Sequence, residues 1–367
     1  MGIKMRSWAK QFGLVAFAAV LAVTVFTGCE DGSTDPDPVS LTNWTAATVP
    51  ANITGTFSNI AYGKGVFVAA TNNREILWSN SGTSWNYVVQ SGAQNLTNNT
   101  DDTGLMAASA AYYVFFGNDE FIAVNRKSSD TRWLKSSDGK VWTAVTGGSG
   151  QAAGGGAYGG SKWIVGSNGA NVYTSTDTTT WTQQGTELTD APSINWINGV
   201  AFGNGTFVIS GMAGRIGSST DGTTWTDRTP LTVDGTEKLF GGAVGSSGNQ
   251  AAVNQVIFAA DQGKFIAVGG NPGMQQIAAT SPDGITWTQT GDIKITMTTN
   301  YLYAGYGAGI YIIAHQSGGE IPASYSTNNG ASWTAIDDTK LTGVTGIAYG
   351  AGKFVMVGGT GIAYSIP

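Results

Sequence analysis

The strongest constraint on this chain is a segment that it writes seven times. An apolar strand, a Gly-rich turn and a second apolar strand recur as "NIAYGKGVFVAA" from Asn59, "VFFGNDEFIAV" from Val114, "GGAYGGSKWIVG" from Gly155 and "GVAFGNGTFVIS" from Gly199. They return as "FAADQGKFIAVGG" from Phe258, "YAGYGAGIYIIA" from Tyr303 and "GIAYGAGKFVMVGG" from Gly346. Alternating apolar positions rich in β-branched and aromatic residues make these hairpins rather than helices. After each hairpin comes a third short strand ending in Ser, a tight turn, and a fourth strand opening on Trp, at Trp85, Trp142, Trp181, Trp225, Trp287 and Trp333. Six units are therefore complete. The seventh ends at "TGIAYSIP" without its turn and fourth strand, while a lone strand, "TNWTAAT" around Trp44, precedes the first unit.

A strand missing at one end and spare at the other predicts a closed ring, because the N-terminal strand completes the last unit and leaves no open edge. Four-stranded units repeated seven times predict an all-β fold: a seven-bladed β-propeller of four-stranded antiparallel blades, the last closed by the N-terminal strand. A solenoid would need capping units and has no use for a split one. The low charged fraction, 11%, and 54 glycines fit a fold made of tight turns.

The turn before each Trp has a common chemistry. It is built on Ser136, Asp138 and Trp142; Ser175, Asp177 and Trp181; Ser219, Asp221 and Trp225; Ser281, Asp283 and Trp287; and Ser326, Asn328 and Trp333. "STDGTTW" at Ser219 resembles the Asp-box, or BNR, repeat of bacterial and sialidase-like propellers, whose pattern is Ser-x-Asp-x-Gly-x-x-Trp. Only Ser326 to Trp333 keeps that spacing, and the other turns are one residue shorter. An Asp side chain accepts hydrogen bonds from amides of its own turn, Gly permits positive φ, and Trp covers the turn with an apolar face. The first unit writes the turn as "SNSGTSW" with no acid, so the acid is expected to be structural and not catalytic. The resemblance implies a fold and leaves activity to other residues.

Residues 1–28 carry Lys4, Arg6 and Lys10, then the apolar run "FGLVAFAAVLAVTVF", then "TGC". That is the pattern of a signal peptide. Cys29 is the sole cysteine, and "FTGC" resembles the bacterial lipobox, which implies lipidation of Cys29 and a mature protein held on a membrane by acyl chains. Residues 29–41 read as an acidic flexible tether and 42–367 as the propeller. Loss of the leader removes three basic residues, so 15 Lys and Arg face 24 Asp and Glu, a net of −9, which argues against nucleic acid as a partner. The expected location is the cell envelope, facing the periplasm or the exterior.

With strands A to D counted from axis to rim, the Ser-x-Asp turns join C to D on one face. The D-to-A and B-to-C connections meet on the other, where the long loops "QSGAQNLTNNTDDTGL", "GTELTDAPSINW" and "TPLTVDGTEKLFGGAVGSSGNQ" fall. Loops of unequal length on a rigid ring suit recognition. The candidate ligand face comprises Arg74, Arg126, Arg132, Trp196, Arg215 and His315. One reading is a module that binds an envelope or extracellular protein, or a glycan. The alternative is a carbohydrate-active enzyme, sialidase-like or another glycoside hydrolase, with acid pairs available at Asp101/Asp102, Asp234/Glu237 and Asp337/Asp338. No catalytic residue, metal site or cofactor is assigned, since one histidine and one acid per turn are too few ligands.

Overall fold

The computed structural model describes residues 41–90, 94–95, 112–126, 132–146, 152–185, 196–231, 235, 239–241, 251–270, 276–295, 301–316, 322–337, 340, 343–359 and 361–366. They form seven sheets in a ring, each built on four antiparallel strands, with two further short strands added to the sheet of blade 2. The innermost strands, A, run Phe57–Gly63, Tyr112–Gly117, Ala152–Gly159, Ile197–Gly203, Ala252–Ala259, Leu302–Gly307 and Val344–Gly350, in blades 1 to 7. Strand D of blade 7 comes from the other end of the chain. Thr45–Ala46 pairs antiparallel with Gly361–Ser365, Thr45 opposite Tyr364 and Ala46 opposite Ala363. Beyond that short ladder, Ala47 N donates to Ile362 O at 2.8 Å and Ser365 Oγ to Asn43 O at 2.8 Å. Trp44, 1% exposed, packs in one apolar cluster with Ile310 and Ile312 of blade 6 and Met356 of blade 7.

Blade 2 departs from the expected four strands. Val89–Gln90, where the connection read from sequence as a loop begins, lies parallel to Val141–Trp142 at the outer edge of that blade, and Gln94–Asn95 folds back against it. The same strap recurs at the closure, where Thr48 bridges Ser84 in parallel and its carbonyl accepts from Trp85 N at 3.0 Å. Each strap ties the end of one blade to the turn of the next. Propensity gives no signal for it, since a two-residue strand is fixed by its neighbour alone.

The Ser-x-Asp turns repeat one hydrogen-bond pattern. In blade 4, Asp221 Oδ1 accepts from Thr223 N at 2.8 Å, Thr224 N at 2.7 Å and Ser219 Oγ at 2.9 Å, while Ser219 Oγ accepts from Gly222 N at 2.8 Å. Asp138, Asp177 and Asp283 do the same in blades 2, 3 and 5. In blade 6 Asn328 Oδ1 accepts from Ser332 N at 2.9 Å, one residue further on because its turn is one residue longer. The amides hold the carboxyls of Asp177 and Asp221 well below the ordinary carboxylate range. Glycine has two reasons to stand in these turns. Gly222 has φ of +72°, and a side-chain carbon on it would come within 2.5 Å of Ile164 in blade 3. In blade 3 itself Thr178 takes the glycine place at φ of +60°, so a missing Gly bends no blade out of the ring.

Candidate functional site

The seven A strands enclose an axial channel of about 430 Å³. Its two ends are built differently. At the end beside the Ser-x-Asp turns, every blade closes strand A with an aromatic residue that meets the ring opening strand B. The pairs run from Tyr62 with Phe67, centroids 4.5 Å apart, to Tyr158 with Trp163 at 5.5 Å. The residue after each aromatic is Gly63, Gly117, Gly159, Gly203, Gly307 or Gly350, and each faces the aromatic of the next blade. A side-chain carbon there would come within 2.0 to 2.4 Å of that residue's side chain. Only blade 5 differs, with Ala259 buried in the cluster that Tyr306 covers. This is an interlocking collar of rings on glycines.

At the opposite mouth the same strands diverge. In blades 1, 4, 5 and 7 strand A carries a one-residue bulge, and the extra residue is Ser58, Asn198, Asn254 or Thr345. A bulge leaves its residue unpaired and re-aims the side chain. Ser58 and Thr345 reach both their own strand B and the next blade: Ser58 Oγ donates to Ala70 O at 3.0 Å, and Thr345 Oγ1 to Phe57 O at 2.8 Å. Asn254 Oδ1 accepts from Leu302 N at 3.0 Å. The residue after the bulge continues the stitching. Asn59 exchanges two bonds with Val114, at 2.8 and 2.9 Å, and Gln255 Oε1 accepts from Ala304 N at 2.6 Å. Where the equivalent place holds Gly155, Gly199 or Gly346, the backbones themselves come into contact, and a side-chain carbon would sit 2.5 to 3.0 Å from the next strand.

Blades 2 and 6 have no bulge, and at this position they place Tyr113 and Tyr303. Burial pushes the Tyr303 phenol far above its usual range, its neighbour Tyr113 adds to the shift, and Arg126 opposes it. Arg126, at the end of strand B in blade 2, holds its guanidinium 4.3 Å above the centre of the Tyr113 ring. Tyr301, 50% exposed, borders the same mouth. Among the described residues lining the channel there is one guanidinium and no carboxylate.

The sequence-predicted ligand face divides on this geometry. Arg126 lies at the mouth. Arg74 sits half-buried in the B-to-C turn of blade 1 at φ of +68°, and Arg132 opens strand C of blade 2 opposite Thr146. Trp196 is half-buried, bridged through its backbone to Asn168 and accepting from Met212 N at 3.1 Å, which makes it the base of a loop. Two members are corrected. Arg215 is buried within strand C of blade 4, ion-paired with Asp227 of strand D, because a guanidinium packed inside a blade requires its countercharge there. His315 is fully buried at the end of strand B of blade 6, opposite Leu302, with its amide donating to Pro322 O at 3.1 Å. Cys29, Asp101, Asp102, Asp234, Glu237 and Asp338 lie outside the described residues.

Sequence reading missed Glu75. This buried carboxylate accepts from Thr54 N at 2.7 Å, Thr54 Oγ1 at 2.8 Å, Gly55 N at 3.0 Å and Thr71 Oγ1 at 2.8 Å. It clips the connection from blade 7 to blade 1 at the mouth face. It also missed the Tyr113 and Tyr303 pair, although aligning the hairpins exposes it: the seven residues four places before the collar are Asn59, Tyr113, Gly155, Gly199, Gln255, Tyr303 and Gly346.

No protein-family model and no curated protein matches the chain in sequence. In shape it is similar to virginiamycin B lyase of Staphylococcus aureus, with a TM-score of 0.63 and 10% identity over 88% of this chain and 98% of that one. It is likewise similar to YCF48 of Cyanidioschyzon merolae, with a TM-score of 0.56 and 14% identity over 88% and 98%. A third neighbour contains the extracellular domain of a one-component system from B. thetaiotaomicron, with a TM-score of 0.60 and 11% identity over 88% of this chain but 39% of that one. At such identities the likeness establishes the propeller fold alone.

Proposed function

We propose that the protein is an exported propeller lipoprotein that binds an envelope or extracellular partner on its mouth face. The carrying observation is the break in repetition: the collar is uniform, whereas the mouth presents Tyr113 and Tyr303 at a position that other blades give to Gly, Asn or Gln, with Arg126 and Tyr301 beside them. A ring that needed only stability would use one solution seven times, as the collar nearly does. Structure neighbours include an extracellular domain and YCF48 bound to D1 peptide, so the fold serves recognition in other proteins. Two-carboxylate glycoside chemistry requires acids facing one another across a substrate, and the described channel lining supplies none. Cys29 provides the anchor through acyl chains, and residues 30–41 the tether.

Membrane fractions containing the tagged full-length protein test both parts. Labelled palmitate is expected on the wild type, with Cys29→Ala lost from the membrane or retained as an uncleaved precursor. Envelope proteins, or glycans on an array, are expected to be captured by the wild type and lost with Tyr301→Ala combined with Arg126→Gln. Capture that is unchanged by that pair contradicts the mouth as the binding face.

A further inference from the structure

We infer that the channel mouth seats the free C-terminal carboxylate of a polypeptide, with Arg126 as its cationic anchor. This rests on the reading that the mouth face is the binding face. Two buried donors line the channel without an acceptor among the described residues, Nε of Arg126 and Nδ2 of Asn254. Asn254 is 6% exposed, and its orientation is fixed because Oδ1 is already used by Leu302 N. Turning the amide would break that bond. A buried donor left unpaired is costly, so the site is completed by a group that brings acceptors. The described lining supplies no carboxylate to meet the guanidinium, and a bound carboxylate would make a charge-assisted contact in a partly dehydrated site.

The same details favour a peptide end over a sugar acid. A chain terminus carries its carboxylate and carbonyl oxygens together and needs no acceptor from the wall at that point. A uronic sugar brings hydroxyl donors as well, and it needs an open aromatic face. The Tyr113 face is taken by Arg126 and Tyr303 is half-buried, so Tyr301 is the most open of the three described tyrosines at the mouth. A channel of about 430 Å³ accepts a few residues of extended chain, whereas a helix, roughly 10–12 Å across with its side chains, is a larger object.

A library of random hexapeptides, synthesised in pairs as C-terminal acids and amides, is incubated with the full-length protein. Acids are expected to bind, with affinity falling at least about ten-fold on amidation, the scale of one hydrogen bond to a charged group. Arg126→Gln is expected to produce a similar loss, Arg126→Lys a smaller one, and Asn254→Asp a loss because it replaces the donor with an oxygen while leaving Oδ1 for Leu302. The acid-against-amide comparison uses the wild type, so it stands even where a variant folds poorly. Equal binding of acids and amides, or no acid bound anywhere in the library, overturns the inference. Arg126-dependent binding of oligouronates in place of peptides overturns it too. If the acids fail while envelope capture remains dependent on Tyr301, the binding face stands and the terminal-carboxylate reading falls. If capture is also indifferent to Tyr301, both fall.

Discussion

The two ends of the axial channel solve one problem in opposite ways. Both must join seven A strands edge to edge around an axis. The collar does so with a ring over a glycine in six of seven interfaces, and each contact excludes any larger residue. The mouth uses amide clamps at Asn59 and Gln255, backbone contact at Gly155, Gly199 and Gly346, and tyrosines at the two unbulged blades. Uniform packing at one end lets the other vary, since the collar and the blade cores maintain the ring while the mouth residues change. The difference separates what holds the molecule from what it presents.

The sharpest way to break this comparison is to open the ring. Removing residues 41–48 strips Trp44 and the last D strand from blade 7 and exposes an edge. The product is expected to aggregate or lose its cooperative thermal transition, whereas removing 30–40 leaves the melting temperature unchanged. Trp44→Ala alone is expected to cost about 3–5 kcal/mol in denaturant unfolding. Next is the collar. Gly159→Val places its first carbon 2.0 Å from the Phe202 ring and is expected to destabilise by about 3 kcal/mol or more. Tyr301→Ala, at the half-exposed edge of the mouth, is expected to change unfolding by less than about 0.5 kcal/mol while reducing partner capture. A collar substitution as mild as the mouth one would erase the distinction.

The smallest effect belongs to the turns. Their carboxyls sit below the ordinary range in the folded protein, so they contribute stability that is fully present above the unfolded carboxylate pKa of about 4 and is lost as pH falls towards the folded value. Asn328 already makes the equivalent bond in blade 6 without a charge. Asp221→Asn is therefore expected to leave the melting temperature near its wild-type value at pH 7 and to lessen its decline between pH 4 and 2. A large loss at pH 7 would assign that turn a role beyond its own amides.

The blade count, the four-strand order and the split last blade were legible because each depends on a pattern written several times, and repetition overrides local ambiguity. The pairing of Thr45–Ala46 with Gly361–Ser365 follows from a spare strand meeting a missing one, while its register is set by the structure. Less was legible at the mouth. Arg215 and His315 look like loop residues because Arg and His are usually exposed, yet one is neutralised by Asp227 twelve residues on and the other is covered by strand pairing, neither of which periodicity reports. A bulge depends on how one residue fits between two strands, so Ser58 and Thr345, just ahead of the repeated segments that begin at Asn59 and Gly346, give no signal in the sequence. The tyrosines were visible only after alignment on the collar glycine, which turns an irregular column into a signal.

Photo-crosslinking gives the most direct test of recognition at the mouth. Tyr301 and Ile285 are exposed to similar degrees, 50% and 44%, at opposite ends of the blades, the first beside the mouth and the second in the Ser-x-Asp turn of blade 5. A photoreactive phenylalanine analogue is placed at one or the other in the full-length protein, and intact envelopes are irradiated. The account predicts a discrete adduct from position 301 and none from 285. Adducts from 285 with none from 301 would put recognition on the regular face and contradict it.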